Sequence, residues 1–348
     1  ILRIGMESIR QAVLNIGVVE RFSSPAFREM LSTPQFWEHS IACGIIAAEI
    51  AHATDAREAD SAFTSGLLHD LGRVIFAEAL GDTYIRVIEM SRRLHAPLEL
   101  VETRMLLLNH AEVMDRLLSA WKFPKHLVEP IMHHHLSAGN VRSVAPTQAS
   151  ETLRLGLANR LAHAMLLGNS GNETIYPTED HCRALGICHA TIRAIEESSQ
   201  QQTDDTKCAL LTNAHSQAWP RRAEQLRALI KEPFRPLYVS VEPELDAYRM
   251  FCAALAGPPV GDPPNVAVIH IASTKERGPL EERPAGAERD AGVQRLPVLM
   301  LSSAREIALD ESALRGRKRA VVSIPLTAMR FVSALNALTT TERAGVAA

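Results

Sequence analysis

The sequence lacks any run approaching ~18 uninterrupted apolar residues, the length a helix needs to cross a bilayer, although 46% of its 348 residues are hydrophobic. Nothing in it reads as a charged-then-apolar leader or a lipidation signal, so no membrane partner is expected. Because the first residue is Ile1 rather than Met, we expect a chain that has lost part of its N-terminus. A strong charge of either sign is also missing: 37 Lys and Arg against 40 Asp and Glu leave a net charge of -3. With no stretch both basic and aromatic, that balance gives no clear nucleic-acid binder. The five cysteines include no CxxC, and the nearest notable pair, Cys182 and Cys188, is six apart. An odd, unpatterned set predicts reduced thiols and a cytoplasmic home. The length predicts two or three domains.

What is present divides the chain in two. From residue 5 to about 200 the apolar residues recur at helical spacing. Ile9, Val13, Ile16 and Val19 do so in "SIRQAVLNIGVVERF", and Phe36, Ile41, Ile45 and Ile46 in "TPQFWEHSIACGIIAAEIAHAT". Thr33 is a candidate N-cap there, with Pro34 at the first helical position. "EADSAFTSGLLHDLGRVIFAEAL", "HAEVMDRLLSAWKF", "KHLVEPIMHHH", "QASETLRLGLANRLAHAMLLG" and "ATIRAIEESSQQQ" continue the pattern. This predicts an all-α bundle of roughly seven helices over residues 1–200. Residues 201–233 read as a linker with one amphipathic helix, entered through the polar and flexible "SSQQQTDDTK". After Pro236 the pattern changes to short Val-rich runs, "PLYVSV", "NVAVIHI", "LPVLMLS" and "RAVVSI". Alternating with helical segments, these predict an α/β domain with a buried parallel sheet over 234–348. The charged stretch "TKERGPLEERPAGAERDAGVQR" reads as a disordered loop.

Fourteen histidines are many for this length, and several sit on separate helical segments: His39, His69, His110, His133, His134 and His135, with Asp70 beside His69. Taken singly, a histidine on an apolar helix is more often a hydrogen-bonded packing residue than a ligand, and His133 reads as such a bystander. The His69-Asp70 pair in "GLLHDLGR" is harder to dismiss, because an adjacent acid and imidazole are costly to bury without partners. Inward-facing histidines and a carboxylate on facing helices suit a divalent transition metal such as Fe, Mn, Ni or Zn. Two neighbouring ions could activate a water for phosphoester hydrolysis.

The succession "SIRQAVLNIG", "FWEHS", "GLLHDLGR", "NHAEV" and "WKFP" followed by "IMHHH", with Glu102 eight residues before His110, resembles the HDOD domain, a bacterial signalling branch of the HD superfamily. The resemblance covers about residues 5 to 200 and implies a helical subdomain before "SIRQA" that this chain does not contain. It also implies that His39, His69, Asp70, His110, His134 and His135 occupy the metal-binding positions of the related HD-GYP phosphodiesterases. The chain departs from those enzymes in carrying Arg73 where they have Lys. It has "LSAGN" where they have an acidic ligand and Gly-Tyr-Pro, and Met114 replaces the Gly usual in the family. The implied site is therefore vestigial or holds a single ion, with no catalytic residue assigned.

The C-terminal segment, from about 235 to 343, resembles a response-regulator receiver domain and implies a flavodoxin-like, doubly wound sheet. In that alignment Ser240 and Val241 fall on the Mg-binding acidic pair and His270 on the phospho-accepting Asp. Ser302 is retained, while Ile324 and Pro325 stand at the Lys-Pro position. Such a receiver could not be phosphorylated on Asp. Together the resemblances imply a cytoplasmic signal-transduction regulator, an HDOD scaffold or sensor that binds a protein or small ligand. Its partners would be signalling proteins. It would have no certain cofactor and could dimerise through the α/β domain, with Met329, Phe331, Val332 and Leu335 as the docking face or, equally, as plain core. The alternative is a metal-dependent phosphohydrolase of the HD superfamily acting on a nucleotide or cyclic dinucleotide.

Overall fold

The computed structural model describes residues 32–210, 221–258, 261–272, 285–293, 295–303 and 316–340. The helix expected over "SIRQAVLNIGVVERF" lies outside the described residues. The first described helix, α1 (Thr33–Thr54), starts one residue earlier than expected: Ser32 is the cap residue and Pro34 follows Thr33 inside the first turn. Then come α2 (Ala59–Leu68), α3 (Leu71–Leu80), α4 (Asp82–Leu94), α5 (Leu98–Leu106) and α6 (His110–Ala120). The helical half continues with α7 (Lys125–His133), α8 (Ala138–Val144), α9 (Ala149–Ala164), α10 (Glu179–Leu185) and α11 (His189–Leu210).

Two expectations for this half are corrected. The segment "EADSAFTSGLLHDLGRVIFAEAL" is two helices, not one, and His69-Asp70 forms the turn between α2 and α3. The polar run "SSQQQTDDTK" is not a flexible linker, because α11 passes through it to Leu210. Ser199 and Thr203 are buried there, and their hydroxyls donate to the carbonyls of Ile195 and Ser199, four residues back. That back-bonding lets a polar helix face be covered without orphaned groups.

The second half begins with α12 (Arg222–Arg227) and β2 (Pro236–Val239). It continues with α13 (Ala247–Ala256), β3 (Val266–Ile271), α14 (285–290), β4 (Val298–Ser302), β5 (Arg319–Ser323), β6 (Leu326–Thr327) and α15 (Ala328–Thr339). Part of the stretch expected to be a disordered loop is therefore helical in α14. The four long strands form one parallel sheet in the order β2-β3-β4-β5. A flavodoxin-type sheet flanks its first strand on both sides, whereas β2 pairs here with β3 alone among the described residues. Helices nevertheless cover both faces. Ala267, Ile269, Val298 and Met300 pack on one side, with Ala287 of α14. Val266, Val268, Leu299 and Leu301 pack on the other, with Phe251 of α13 and Phe331 of α15.

That second face does not stop at the sheet. It is continuous with Ala42 and Ile46 of α1 and Leu157 and Leu161 of α9. A short antiparallel pair, β1 (Thr174–Ile175) with β6, ties the halves by backbone hydrogen bonding. The apolar stripe on α15 is thus core: Phe331, Val332 and Leu335 are at most 2% exposed, and only Met329 of the expected docking face reaches solvent. Replacing Phe331 by Ala should cost about 3–5 kcal/mol by emptying a buried aromatic site. Urea unfolding of the full chain measures this, and a loss under about 1 kcal/mol would show that the site is not packed as described.

A buried histidine and carboxylate cluster as candidate metal centre

Asp70 lies at the centre of the helical half, and four other elements deliver partners to it. Close backbone approach makes this possible. A Cβ on Gly66 would stand 2.6 Å from the backbone of Gly44 in α1, and one on Gly72 would stand 2.0 Å from the carbonyl oxygen of His110. These glycines let α2 meet α1 and let α3 abut the start of α6. A capping box then fixes that start: Asn109 accepts from the Glu112 amide and Glu112 from the Asn109 amide. His110 is therefore presented as the first residue of α6, facing α3.

The structure brings all six sequence-derived residues together around Asp70. His69 Nε2 is 3.2 Å and His39 Nε2 3.7 Å from Oδ2, while His110 Nε2 is 3.1 Å and His134 Nε2 4.0 Å from Oδ1. His135 reaches the group indirectly, with its Nε2 2.9 Å from His110 Nε2. His39, His69, Asp70 and His110 have no exposed surface. His133 stays apart, half-buried at the end of α7.

Arg73 completes the centre. Its guanidinium is fully buried, with NH1 2.9 Å from Asp70 Oδ2 and NH2 3.3 Å from His110 Nε2, and it also donates to Ser170. Asp70 and the surrounding acids keep the guanidinium charged despite its burial, which works the other way. Burial pushes the Asp70 carboxyl up, but the Arg73 guanidinium works against this and the carboxyl is held well below the usual range. Burial likewise opposes the charge on Glu102, and His110 reverses it. His110 is drawn upward by Glu102 and Asp70 against burial and Arg73. Glu102 Oε2 accepts from His110 Nδ1 at 2.6 Å and from the His110 amide at 2.9 Å, and Tyr84 donates to its other oxygen. Two carboxylates, one guanidinium and one imidazolium thus form a buried network whose charges balance. Three groups crowd His110 Nε2: His135 Nε2 at 2.9 Å, Asp70 Oδ1 at 3.1 Å and Arg73 NH2 at 3.3 Å.

The other side of Asp70 is different. His69 Nδ1 donates to the carbonyl of Gly66 at 2.7 Å, and His134 Nδ1 donates to the carbonyl of Ile131 at 2.6 Å. Both imidazoles therefore turn unprotonated Nε2 atoms toward Asp70, and neither Nε2 has a hydrogen-bond partner. Bare lone pairs facing a carboxylate repel unless a cation lies between them. Backbone carbonyls holding the far nitrogen are the usual means of orienting histidine ligands. A cation among His69, His134 and Asp70, with His39 beside them, would relieve that repulsion; the ligand atoms of Asp70, His110, His134 and His135, and those of His39, Cys43 and His69, also lie close enough together to hold an ion. The position next to His110 and His135 is served by the Arg73 guanidinium. Aspartate and imidazole suit a borderline transition metal.

Sequence reasoning passed over several members of the cluster. Asn159 Oδ1 is 3.1 Å from His39 Nε2, and the His163 ring lies 4.3 Å from that of His39. Both are on α9, four residues apart on one face of a helix that is buried all round. Polar residues spaced i and i+4 on one helix were the available signal. Tyr84 and Glu99, which accepts from Tyr176, had none.

Of the receiver-like positions, Ser240, Ser302, Ile324 and Pro325 lie at the carboxyl edge of the sheet, and Val241 is 47% exposed. His270 points the other way, toward the helical half. It donates from Nδ1 to Asp246 at 2.8 Å, with Glu179 of α10 4.0 Å away. Asp246 also accepts from Tyr238 and from the Tyr248 amide, as the cap of α13.

Residues 1–137 match the family model of the HDOD domain, and all six candidate ligands lie within that stretch. An uncharacterized protein of Treponema pallidum (strain Nichols) is 30% identical over 139 residues, which is 38% of this chain and 25% of that protein. The chain thus spans about a quarter of that relative's length. A solved HDOD domain protein with unknown function from Geobacter sulfurreducens is 20% identical, with a TM-score of 0.49 over 59% of this chain and 72% of its own. No helix among the described residues is long and apolar enough to cross a membrane.

Burial sets the acid response of the cluster. It pushes His39 and His181 down to about 3, and His134 and His163 well below their ordinary value. These groups are neutral when folded and take up protons on unfolding below pH ~6.5. A depressed pKa gives stability that is present above that pH and lost as pH falls, by up to about 1.4 kcal/mol per pH unit for each group. His110, shifted upward, acts with the opposite sign but is outnumbered. Urea unfolding with a chelator present should therefore show stability falling steadily from about pH 7 to about pH 5. A flat or rising profile would contradict these assignments.

Proposed function

We propose that the protein is a bacterial signal-transduction regulator in which the HDOD domain is a non-catalytic scaffold or sensor. In this reading the HD-GYP-type two-metal centre has been reduced to a site for a single ion. The observation that carries it is the guanidinium of Arg73, ion-paired to Asp70 where a second cation would otherwise balance the carboxylate. The surrounding surface agrees, since His39, His69, Asp70, Arg73 and His110 expose nothing on which a substrate could rest. The α/β half, read as a degenerate receiver, would serve as a docking module. Its helix placement supports that reading, with α13 and α15 on one face and α14 on the other. The order β2-β3-β4-β5 fits a receiver from which the second strand is missing. Ser240 and Val241 supply no carboxylate for Mg, and Asp246 is already engaged by three donors. Signalling proteins remain the proposed partners, and self-association through this half would have to use a surface other than the buried stripe of α15.

The bare Nε2 atoms of His69 and His134 favour a second reading, a metal-dependent phosphohydrolase acting on a nucleotide or cyclic dinucleotide. A divalent ion held there would act as a Lewis acid on a phosphoryl oxygen or lower the pKa of a bound water. One assay separates the two. The full chain, loaded in turn with Mn, Fe, Ni and Zn, should hydrolyse bis-p-nitrophenyl phosphate no faster than buffer containing the same metal. Turnover that disappears in Asp70→Asn would overturn the regulatory reading and establish the hydrolase.

A further inference from the structure

A cavity of about 700 Å³ opens on the far side of the α/β half, at the amino ends of β2 and β3. Its walls are the end of α12, the segment 228–236, the end of α13 and the turn leading into β3. The volume lies in the range of small-molecule sites, about 300–1,000 Å³. The floor is apolar: Leu255 is fully buried, Phe234 nearly so, and Pro236 and Pro264 close the sides.

The charged groups around this floor are unequally matched. Arg227, Lys231 and Arg235 line it, against Glu232 and Asp262. Arg235 is occupied, with Asp262 3.8 Å away and its Nε donating to the carbonyl of Pro263 at 2.8 Å. Arg227 and Lys231 have no acidic partner among the described residues. Arg227 is further constrained, since its guanidinium packs so closely on Gly257 that a Cβ there would lie 3.3 Å from Cζ. Its Nε is buried without a hydrogen-bond partner. Glu232 is exposed and free to turn into water.

We infer that this cavity binds a small phosphorylated molecule with a flat apolar body, of the nucleoside monophosphate class, with Arg227 and Lys231 taking the phosphate and the partly exposed Ile230, Pro236 and Pro264 against the base. Two unmatched cations suit a phosphomonoester dianion better than a carboxylate, and a guanidinium offers the paired donors that phosphate oxygens accept. The apolar floor accounts for a body beyond the anion. This site is separate from the histidine cluster and does not depend on how that cluster is read.

The test is a fluorescence titration of the full chain with N-methylanthraniloyl-labelled AMP, competed by unlabelled AMP, adenosine and inorganic phosphate. The inference predicts saturable binding that AMP displaces, with adenosine and phosphate each needing concentrations about tenfold higher. Arg227→Gln and Lys231→Gln should each raise Kd about tenfold, and Lys231→Gln should do so without shifting the urea midpoint. Arg183→Gln, which removes an exposed cation outside the cavity, should leave Kd unchanged. Three results would each overturn the assignment: no saturable binding, displacement by phosphate as efficient as by AMP, or an Arg183→Gln effect equal to that of Arg227→Gln.

Discussion

A carboxylate with no solvent contact must be compensated, and the helical half is arranged around compensating Asp70. The pair Asp70–Arg73 is the first element of that arrangement, because leaving either charge alone would cost about 3–5 kcal/mol. His110 and Glu102 extend it into a network of two negative and two positive groups. The break between α2 and α3 puts Asp70 on the inside of a turn, where α1, α6, α7 and α9 can all reach it. Gly66 and Gly72 allow the approach. The same carboxylate meets two different environments, a cationic one toward Arg73 and His110 and an electron-rich one toward His69 and His134.

The helical half is not packed in isolation. Its core runs from α1 and α9 into the sheet face covered by α13 and α15, and β1 with β6 adds a backbone link. His95, just past the end of α4, meets Thr327 of β6 at 3.0 Å, and Arg249 of α13 meets Glu196 of α11. A change of charge at Asp70 therefore has a packed route to the α/β half through α1 and α9.

Much of the site was legible in the chain itself, because ligand-type residues recur in a distinctive order on helical segments. His39, His69, Asp70, His110, His134 and His135 could all be named before any fold was known. The departure at Arg73 was visible too, although its meaning was not: only the fold shows the guanidinium lying between Asp70 and His110. The break at His69-Asp70 could not be read, since Leu67, Leu68, Leu71 and Val74 keep helical spacing straight through it. Tertiary demand on Asp70 decides the turn, not local preference. The run after Ser198 looked like a linker because its polarity suggests solvent, yet Ser199 and Thr203 satisfy themselves within the helix and can be buried. Strand identity followed from the Val-rich runs, whereas strand order depends on contacts far apart in sequence and left no local trace. Phe331, Val332 and Leu335 showed the same ambiguity, since an apolar stripe looks alike whether it meets a partner or the protein's own core.

The central claim is that Arg73 stands in for a second cation. The most direct test is the metal stoichiometry of the full chain after loading with excess Mn, Fe, Ni or Zn and desalting. The account predicts about one ion per chain, lost in His69→Ala and retained in His135→Ala. Two ions per chain, or loss of metal in His135→Ala equal to that in His69→Ala, would contradict it.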